Sequence, residues 1–493
     1  MTSPRSGTFK TVLLIFMTAL VIRGLAFVSL YHLDAFQVKM GDRALVHYFA
    51  ARMVQGPVVE PLNVNLPPVF LGFLAFCYRL AGPGASLPVL VQLVLGSLTC
   101  VVIYHIGSLV WDRKVGIVAG MMAAFHGILI FYDNYLWKTS MQSFWLMLGL
   151  CFCFMARRKV SPWRETALAA VSFAMAFLLR RQLAAVLPGL VLWMILVLRP
   201  RGRRQALQLT AVFLALFGAT LWGWQQWYAS VLPMQKAAMS EWGVHFYVGN
   251  QAQAQGTYKK VQGIRASALG HSVDGRRLAE TAEGHSLTAS EVNRYWLGRG
   301  IDEIRRDVPG WSRLELKKLF LIFNKYEIPN DENYDFIRKK SWLLSLPLIS
   351  FGLIAPLGLT GMMMSIRTKN PDVMLLVLCV LGYTASLLLF FVTAGYRMPL
   401  QPLLLLFAAF FVCRVVELLQ QGGRRTLSLA AVLFAVLYAF TNHETFLNPQ
   451  GYDSYYAKRV ERALKARDSW EVPSARTVKK SLFSERRFPE TPS

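Results

Sequence analysis

Asp42 and Arg397 set an acid and a permanent cation at the edges of two apolar runs. Asp42 stands in Gly41-Asp42-Arg43, just after the first run, and Arg397 in Gly395-Tyr396-Arg397-Met398-Pro399, where another ends. A charge at the border of the hydrocarbon is costly, so it marks a site more often than a spacer. A carboxylate held partly out of water has a raised pKa and suits a general base. Arginine offers a planar, always-charged fork to phosphate. Together they suggest proton abstraction at one point and neutralisation of a phosphate at another. The plain alternative for Asp42 is a loop aspartate opening a short helix with Leu45, Phe49 and Met53 on its buried face.

Other polar residues stand at similar borders. Asp133 and Lys138 lie where one apolar run ends and the next begins. They suit a phosphate or metal contact, or else a helix cap and a snorkelling lysine. Arg180-Arg181 occupy a short turn on the side that should be poor in bases, which favours an anion contact. Lys317, Lys318 and Glu327 end the one large polar block, where a solvated helix face is the competing account. No phosphate-binding loop, dinucleotide fingerprint, H-E-x-x-H or G-x-S-x-G is present. The six cysteines all lie in or beside apolar runs, so neither a disulfide framework nor a zinc site is implied.

The elements that must hold these residues are membrane spans. Of 493 residues, 54% are hydrophobic and 16% charged. A soluble chain carries roughly 25% charged residues, so the expectation is an all-α polytopic membrane protein. Spans are expected at 10–31, 88–110, 115–132, 139–156, 165–180, 183–198, 207–228, 341–364, 372–394, 399–420 and 426–441. Segment 67–81 is apolar but short of the roughly 20 residues a span needs. If it does not cross, the basic clusters 112–114, 157–159, 199–204, 367–369 and 424–425 all share the cytoplasmic side. It is therefore expected to lie in the outer interface. The net charge of +25 is then loop punctuation, and no nucleic-acid partner is implied.

That parity gives an N-terminal transmembrane module at 1–228 with a first outer loop at 32–87. An extracytoplasmic domain follows at 229–340, then a C-terminal transmembrane module at 341–441 and a basic extracytoplasmic tail at 442–493. In the outer domain, Thr288-Ala-Ser-Glu291 reads as a capping box. Its helix should stop before Pro309, a second should run from Trp311 to Lys325, and 249–285 should be loop. Tyr456, Val460 and Leu464 predict a short basic amphipathic helix lying on a surface.

These residues resemble the GT-C glycosyltransferases of the protein-mannosyltransferase and aminoarabinose-transferase type, over about 10–415. The resemblance rests on Asp42, Asn65-Leu66-Pro67-Pro68, Phe131-Tyr132-Asp133 and Phe246 to Asn250 with Gly256-Thr257-Tyr258. Tyr295-Trp296, Lys317 to Asn324, Glu327 to Asn330, and Tyr396-Arg397-Met398-Pro399 with Pro402 extend it. It implies a GT-C-like bundle of about 11 transmembrane helices, with an interfacial helix in the first outer loop and a small, mostly helical outer domain. It further implies a bacterial inner-membrane enzyme that moves a sugar from a polyprenyl-phosphate carrier to a glycan, lipid or protein acceptor on the outer face. Asp42 would be the base; Arg397, with Arg181 or Lys138, would neutralise the phosphate, and Asp133, Lys317 and Glu327 would complete the binding set. Arg43 stands where many relatives have a second acid, and Gly395 where arginine is frequent. A divalent cation stays open, though the cations present can serve without one. A transporter or flippase for a charged lipid, and a non-catalytic envelope scaffold, are the readings from other classes.

Overall fold

The computed structural model describes residues 4–37, 40–56, 66–83, 86–198, 202–232, 242–444 and 449–467. Among them every regular element is a helix. Seven helices are long and apolar enough to cross a membrane: Thr8–Tyr31, Ser86–Val110, Thr139–Arg158, Arg203–Val231, Pro371–Leu388, Leu400–Gln420 and Arg424–Asn442. The shorter apolar helices Pro68–Ala81, Arg181–Val197 and Phe351–Ile366 accompany them. The fold is that of an all-α membrane protein. Asn65, the cluster residues Arg199 to Arg201, the outer-domain segment 233–241 and the tail beyond 467 fall outside the described residues.

The expected span 183–198 opens as a 3-10 turn, and 372–394 is helical only to Leu388. The spans 115–132 and 341–364 are also broken, and one contact explains these two. The run 115–132 is split into Arg113–Ala124 and Gly127–Asn134. The run 341–364 is helical only from Phe351. At the break, Ile349 N–H donates to the Phe125 carbonyl at 3.1 Å and Gly127 N–H to the Ile349 carbonyl at 3.0 Å. Irregular backbone at such depth needs internal partners, and each break supplies them for the other. His126 closes the corner, with Nδ1 2.8 Å from the Ile349 carbonyl and Nε2 2.5 Å from Gln401 Oε1.

The first loop forms the helices Gly41–Met53 and Pro68–Ala81. Leu45, Phe49, Phe70, Leu71 and Leu74 bury their faces together, with Met53 partly buried against them. His47 Nδ1 and the Tyr78 hydroxyl, 2.6 Å apart, tie the two helices. The large polar block has its own small core around Val244, Val248, Ile264, Val292 and Trp296. Its capping box forms as expected: Thr288 caps Ala289–Arg306, and the following helix is Val308–Phe323.

Two expectations are corrected here. Part of 249–285 is the helix Ala268–Glu283, not loop. Ser267 caps its first turn by accepting from Gly270 N–H at 3.0 Å, and Gly284, at φ 76°, ends it in the left-handed conformation. The tail helix Pro449–Arg467 does not simply lie on a surface. Tyr456 and Val460 are buried in the main core, and the Tyr456 ring meets Phe336 at 5.2 Å between centroids. Lys339 Nζ to Asp453 at 2.6 Å anchors the helix to the segment after Tyr334–Arg338.

Candidate active site

Asp42 opens the helix Gly41–Met53, and its Oδ1 accepts the Ala268 N–H at 3.0 Å. That amide is at the start of the helix Ala268–Glu283, where backbone donors favour a carboxylate. So the helix Gly41–Met53 and the helix Ala268–Glu283 meet at this side chain, which lies 226 positions from Ala268. Asp331 lies on the other side. A methyl at Gly41 would come within 2.6 Å of Asp331 Oδ1, and Gly41 has φ +55°, so glycine admits the contact twice over. Burial first, and then the charge of Asp331, push the Asp42 carboxyl up to about 6. The Ala268 N–H, Lys138 and Arg459 pull it the other way.

Two cations, Lys138 and Arg459, act on this acid. Lys138 ends the turn before Thr139–Arg158, with Nζ 5.4 Å from the Trp137 ring centroid. Burial, then the charge of Lys138, pushes His245 down to about 4. The His245 ring faces His271 at 3.1 Å between nitrogens, and His271 meets the Tyr258 hydroxyl at 2.9 Å. Glu332 accepts the Tyr132 hydroxyl at 2.6 Å, and burial pushes its carboxyl up to about 7. Arg180, 6% exposed, lies 4.7 Å above the Tyr396 ring and donates from Nε to Gln142 Oε1 at 2.7 Å. Among the described residues no carboxylate lies within ion-pair distance of Arg180, although its charge is felt at Glu332.

The other sequence candidates fall elsewhere. Asp133 is buried against Arg23 at 2.7 Å, with Ser140 donating to its second oxygen at 2.5 Å. A methyl at Gly96 would strike that carboxylate, so the span helix is cut away to receive it. The structure therefore gives Asp133 an internal partner, not an open face for phosphate or metal. Arg397, 1% exposed, turns inward. It donates to the carbonyls of Leu321, Ile322, Asn324 and Tyr326, stacks on Phe351 at 4.1 Å and pairs with Glu327 at 2.6 Å. Glu327 also accepts from Gln401 at 3.2 Å. Arg397 and Glu327 thus hold one another. Arg181 is exposed, with its charge felt at Tyr228. Lys317 is half-buried, while the neighbouring Lys318 is buried against Glu315 at 2.6 Å, Asn250 at 3.2 Å and the Leu388 carbonyl at 2.8 Å.

No sequence expectation falls on Asp331, Glu332 or Arg23, and Arg459 enters only among the bases of the tail helix. Arg23 had a signal, since an arginine in mid-span must find an internal partner. Adjacent acids in a strongly basic chain were a signal for Asp331-Glu332. Among the described residues no three metal-ligating side chains come together. Asp42 engages a backbone amide and Asp331 an arginine.

Residues 65–224 match the dolichyl-phosphate-mannose-protein mannosyltransferase family. The matched stretch carries Lys138 and Arg180; Asp42 and the block 229–340 lie outside it. No curated protein matches the chain. Among solved structures, the archaeal oligosaccharyltransferase AglB from Archaeoglobus fulgidus, in complex with an inhibitory peptide and a dolichol-phosphate, is 12% identical with a TM-score of 0.47. The alignment covers 93% of this chain and 60% of that one, so this chain spans about three-fifths of the oligosaccharyltransferase. ArnT from Cupriavidus metallidurans, bound to undecaprenyl phosphate, is 14% identical with a TM-score of 0.39, covering 83% of this chain and 78% of that one.

Proposed function

We propose that the protein is a membrane glycosyltransferase taking its sugar from a polyprenyl-phosphate carrier. Arg180 carries this reading. A buried guanidinium without a carboxylate partner is costly unless a ligand brings the negative charge. It sits at the end of an apolar helix, within reach of a lipid whose phosphate stays at the membrane boundary. In the proposed reaction the donor phosphate binds Arg180, with Lys138 as the second cation. Asp42 takes the proton from an acceptor hydroxyl as that oxygen attacks the anomeric carbon, and the phosphate leaves with the bonding pair. Fixed cations lower the barrier as charge builds on the leaving group. Arg397 and Glu327 then have a supporting role, clamping the backbone that leads to Asp331 and Glu332.

The site opens to the outer face of a bacterial inner membrane in this reading, because the basic loops share the opposite side. A periplasm-only reporter enzyme fused after Ser493 is expected to be active.

The decisive experiment uses protein in nanodiscs with radiolabelled polyprenyl-phosphate sugars and an envelope extract as acceptor. Transfer by the parent and its loss in Arg180→Ala, with donor binding weakened, is expected. Lipid flipping without transfer would replace this reading by the transporter alternative.

A further inference from the structure

The tail helix reaches the acid pair through one residue. Arg459 NH2 lies 3.2 Å from Asp331 Oδ1, and its NH1 donates to the Asn330 carbonyl at 3.3 Å. That Asp331 oxygen is the one pressed against Gly41, one residue before Asp42. The helix is held there independently of Arg459 by Tyr456 and Val460 in the core, and by Asn333 and Lys339 donating to Asp453 at 2.9 Å and 2.6 Å. So its apolar face and a separate polar clip seat the helix, and Arg459 is delivered to Asp331 as a consequence.

We propose that Arg459 is a positioning residue for the Asp42 centre: it pins Asp331 against Gly41 and cancels that carboxylate's charge beside Asp42. The proposal rests on the reading of Asp42 as the base. The groups acting on Asp42 from the packed elements are Asp331 on the outer segment, Lys138 before Thr139–Arg158, Arg459 on the tail helix and the Ala268 N–H on the outer domain. Tyr258, on the outer-domain loop, feels the charges of both Asp42 and Asp331. Of the two cations, Arg459 is the one in ion-pair contact with Asp331. Without Arg459, two facing carboxylates would share one site, and like charges at such range resist ionising together. Asp42 would then hold its proton to higher pH and be a poorer base at neutrality. The tail helix is thereby part of the active centre and not an appendage.

The test reads Asp42 without any substrate. A hydrophobic carbodiimide labels carboxyls that are protonated and shielded, and peptide mass spectrometry quantifies labelling of Asp42 across pH in full-length protein in nanodiscs. In Arg459→Gln the labelling midpoint should move up by about one pH unit. Arg459→Lys should stay near the parent, and Arg459→Gln with Asp331→Asn should return to the parent value or below. The acid limb of transfer should follow the same order. An unmoved midpoint in Arg459→Gln, at normal abundance, overturns the proposal and leaves Arg459 as a fastener only. If Arg459→Gln does not accumulate, Asp331→Asn alone decides, because its midpoint must fall; no fall overturns the proposal. A shift in labelling with no transfer by any variant would keep the charge relation and reject the glycosyltransferase reading instead.

Discussion

Arg180 and Arg397 are both nearly buried arginines at the ends of apolar helices, yet their surroundings differ in kind. Arg397 is closed in by four carbonyls, a stacked phenylalanine and Glu327 at 2.6 Å. Arg180 has an amide oxygen and a ring face, with no carboxylate in ion-pair range among the described residues. Arg397 finds its counter-charge within the chain, whereas among the described residues no carboxylate lies in ion-pair range of Arg180. The two arginines differ in their partners and not in their depth. The same contrast divides Asp133, neutralised by Arg23, from Asp42, whose neighbour is another acid.

The sharpest break in the comparison is Asp42→Asn. The amide keeps the acceptor for Ala268 N–H but takes up no proton, and general-base loss costs about 10²–10⁴-fold in rate. Stability should move the opposite way. A carboxyl pushed above its unfolded pKa of 3.8 adds stability at low pH and loses it as pH rises through about 6. At neutral pH the ionised, buried Asp42 is therefore a cost, and the Asn variant should unfold at an equal or higher temperature than the parent. A variant that loses transfer and also melts early would show that Asp42 is holding the fold.

Arg397→Ala should act on the fold first. It strands Glu327 without its cation, and breaking a buried pair costs about 3–5 kcal/mol. Abundance in the membrane should drop, and adding Glu327→Gln should restore part of it. Arg180→Ala should do the reverse, keeping abundance while losing about 3 kcal/mol of transition-state stabilisation, or roughly two orders of magnitude in transfer. Arg180→Lys keeps the charge but loses the fork and the flat stack on Tyr396, so intermediate activity is expected. If Arg180→Ala transfers normally and Arg397→Ala accumulates normally yet fails to transfer, the two assignments must be exchanged.

The pH profile gives a smaller effect. With Asp42 required in its ionised form, transfer should fall about tenfold per pH unit below about 6 and level off above it. Glu332, pushed up to about 7, is buried beside Tyr132 and outside this proton path, so Glu332→Gln should leave the limb in place. A limb that moves with Glu332→Gln would bring that carboxyl into the chemistry.

Much of the fold was legible because membrane spans are written in local apolar runs, and because Thr288 and Glu291 meet within one helical turn. What escaped was set by contacts distant in sequence. The break at Phe125-His126 exists because Ile349 supplies its hydrogen bonds, and no window of the chain shows that pairing. The helix Ala268–Glu283 was hidden by Gly270 and Gly275, poor helix formers, although Ser267 and Gly284 were standard end signals. At Arg180-Arg181 the pattern flagged a pair; only the turn that begins at Arg181 decides that Arg180 points inward and Arg181 outward. Arg397 misled because a violated charge rule has two physical outcomes, an outside ligand or an inside partner, and its partner Glu327 is 70 positions away. Arg459 was read with its helix as a membrane-surface element, since its neighbours are basic and amphipathic whichever surface they meet.

The mildest test falls on Gly41, where the centre depends on the absence of a side chain. Gly41→Ala meets two obstacles. A left-handed φ of +55° costs an alanine about 1–2 kcal/mol, and its methyl would lie 2.6 Å from Asp331 Oδ1. Asp331 must then withdraw, and its contact with Arg459 at 3.2 Å must lengthen or shift. Transfer should fall by about an order of magnitude, which is what 1.4 kcal/mol is worth in rate. Gly24→Ala is the control, since no atom lies within 4 Å of its added methyl and its φ is ordinary for a helix. It should be neutral or slightly stabilising, by about 0.5–1 kcal/mol. The thermal shift of both variants is measured beside transfer. If Gly41→Ala melts lower but transfers at the parent rate, the close approach of Asp331 serves the fold alone, and the acid pair has no part in setting the reactivity of Asp42.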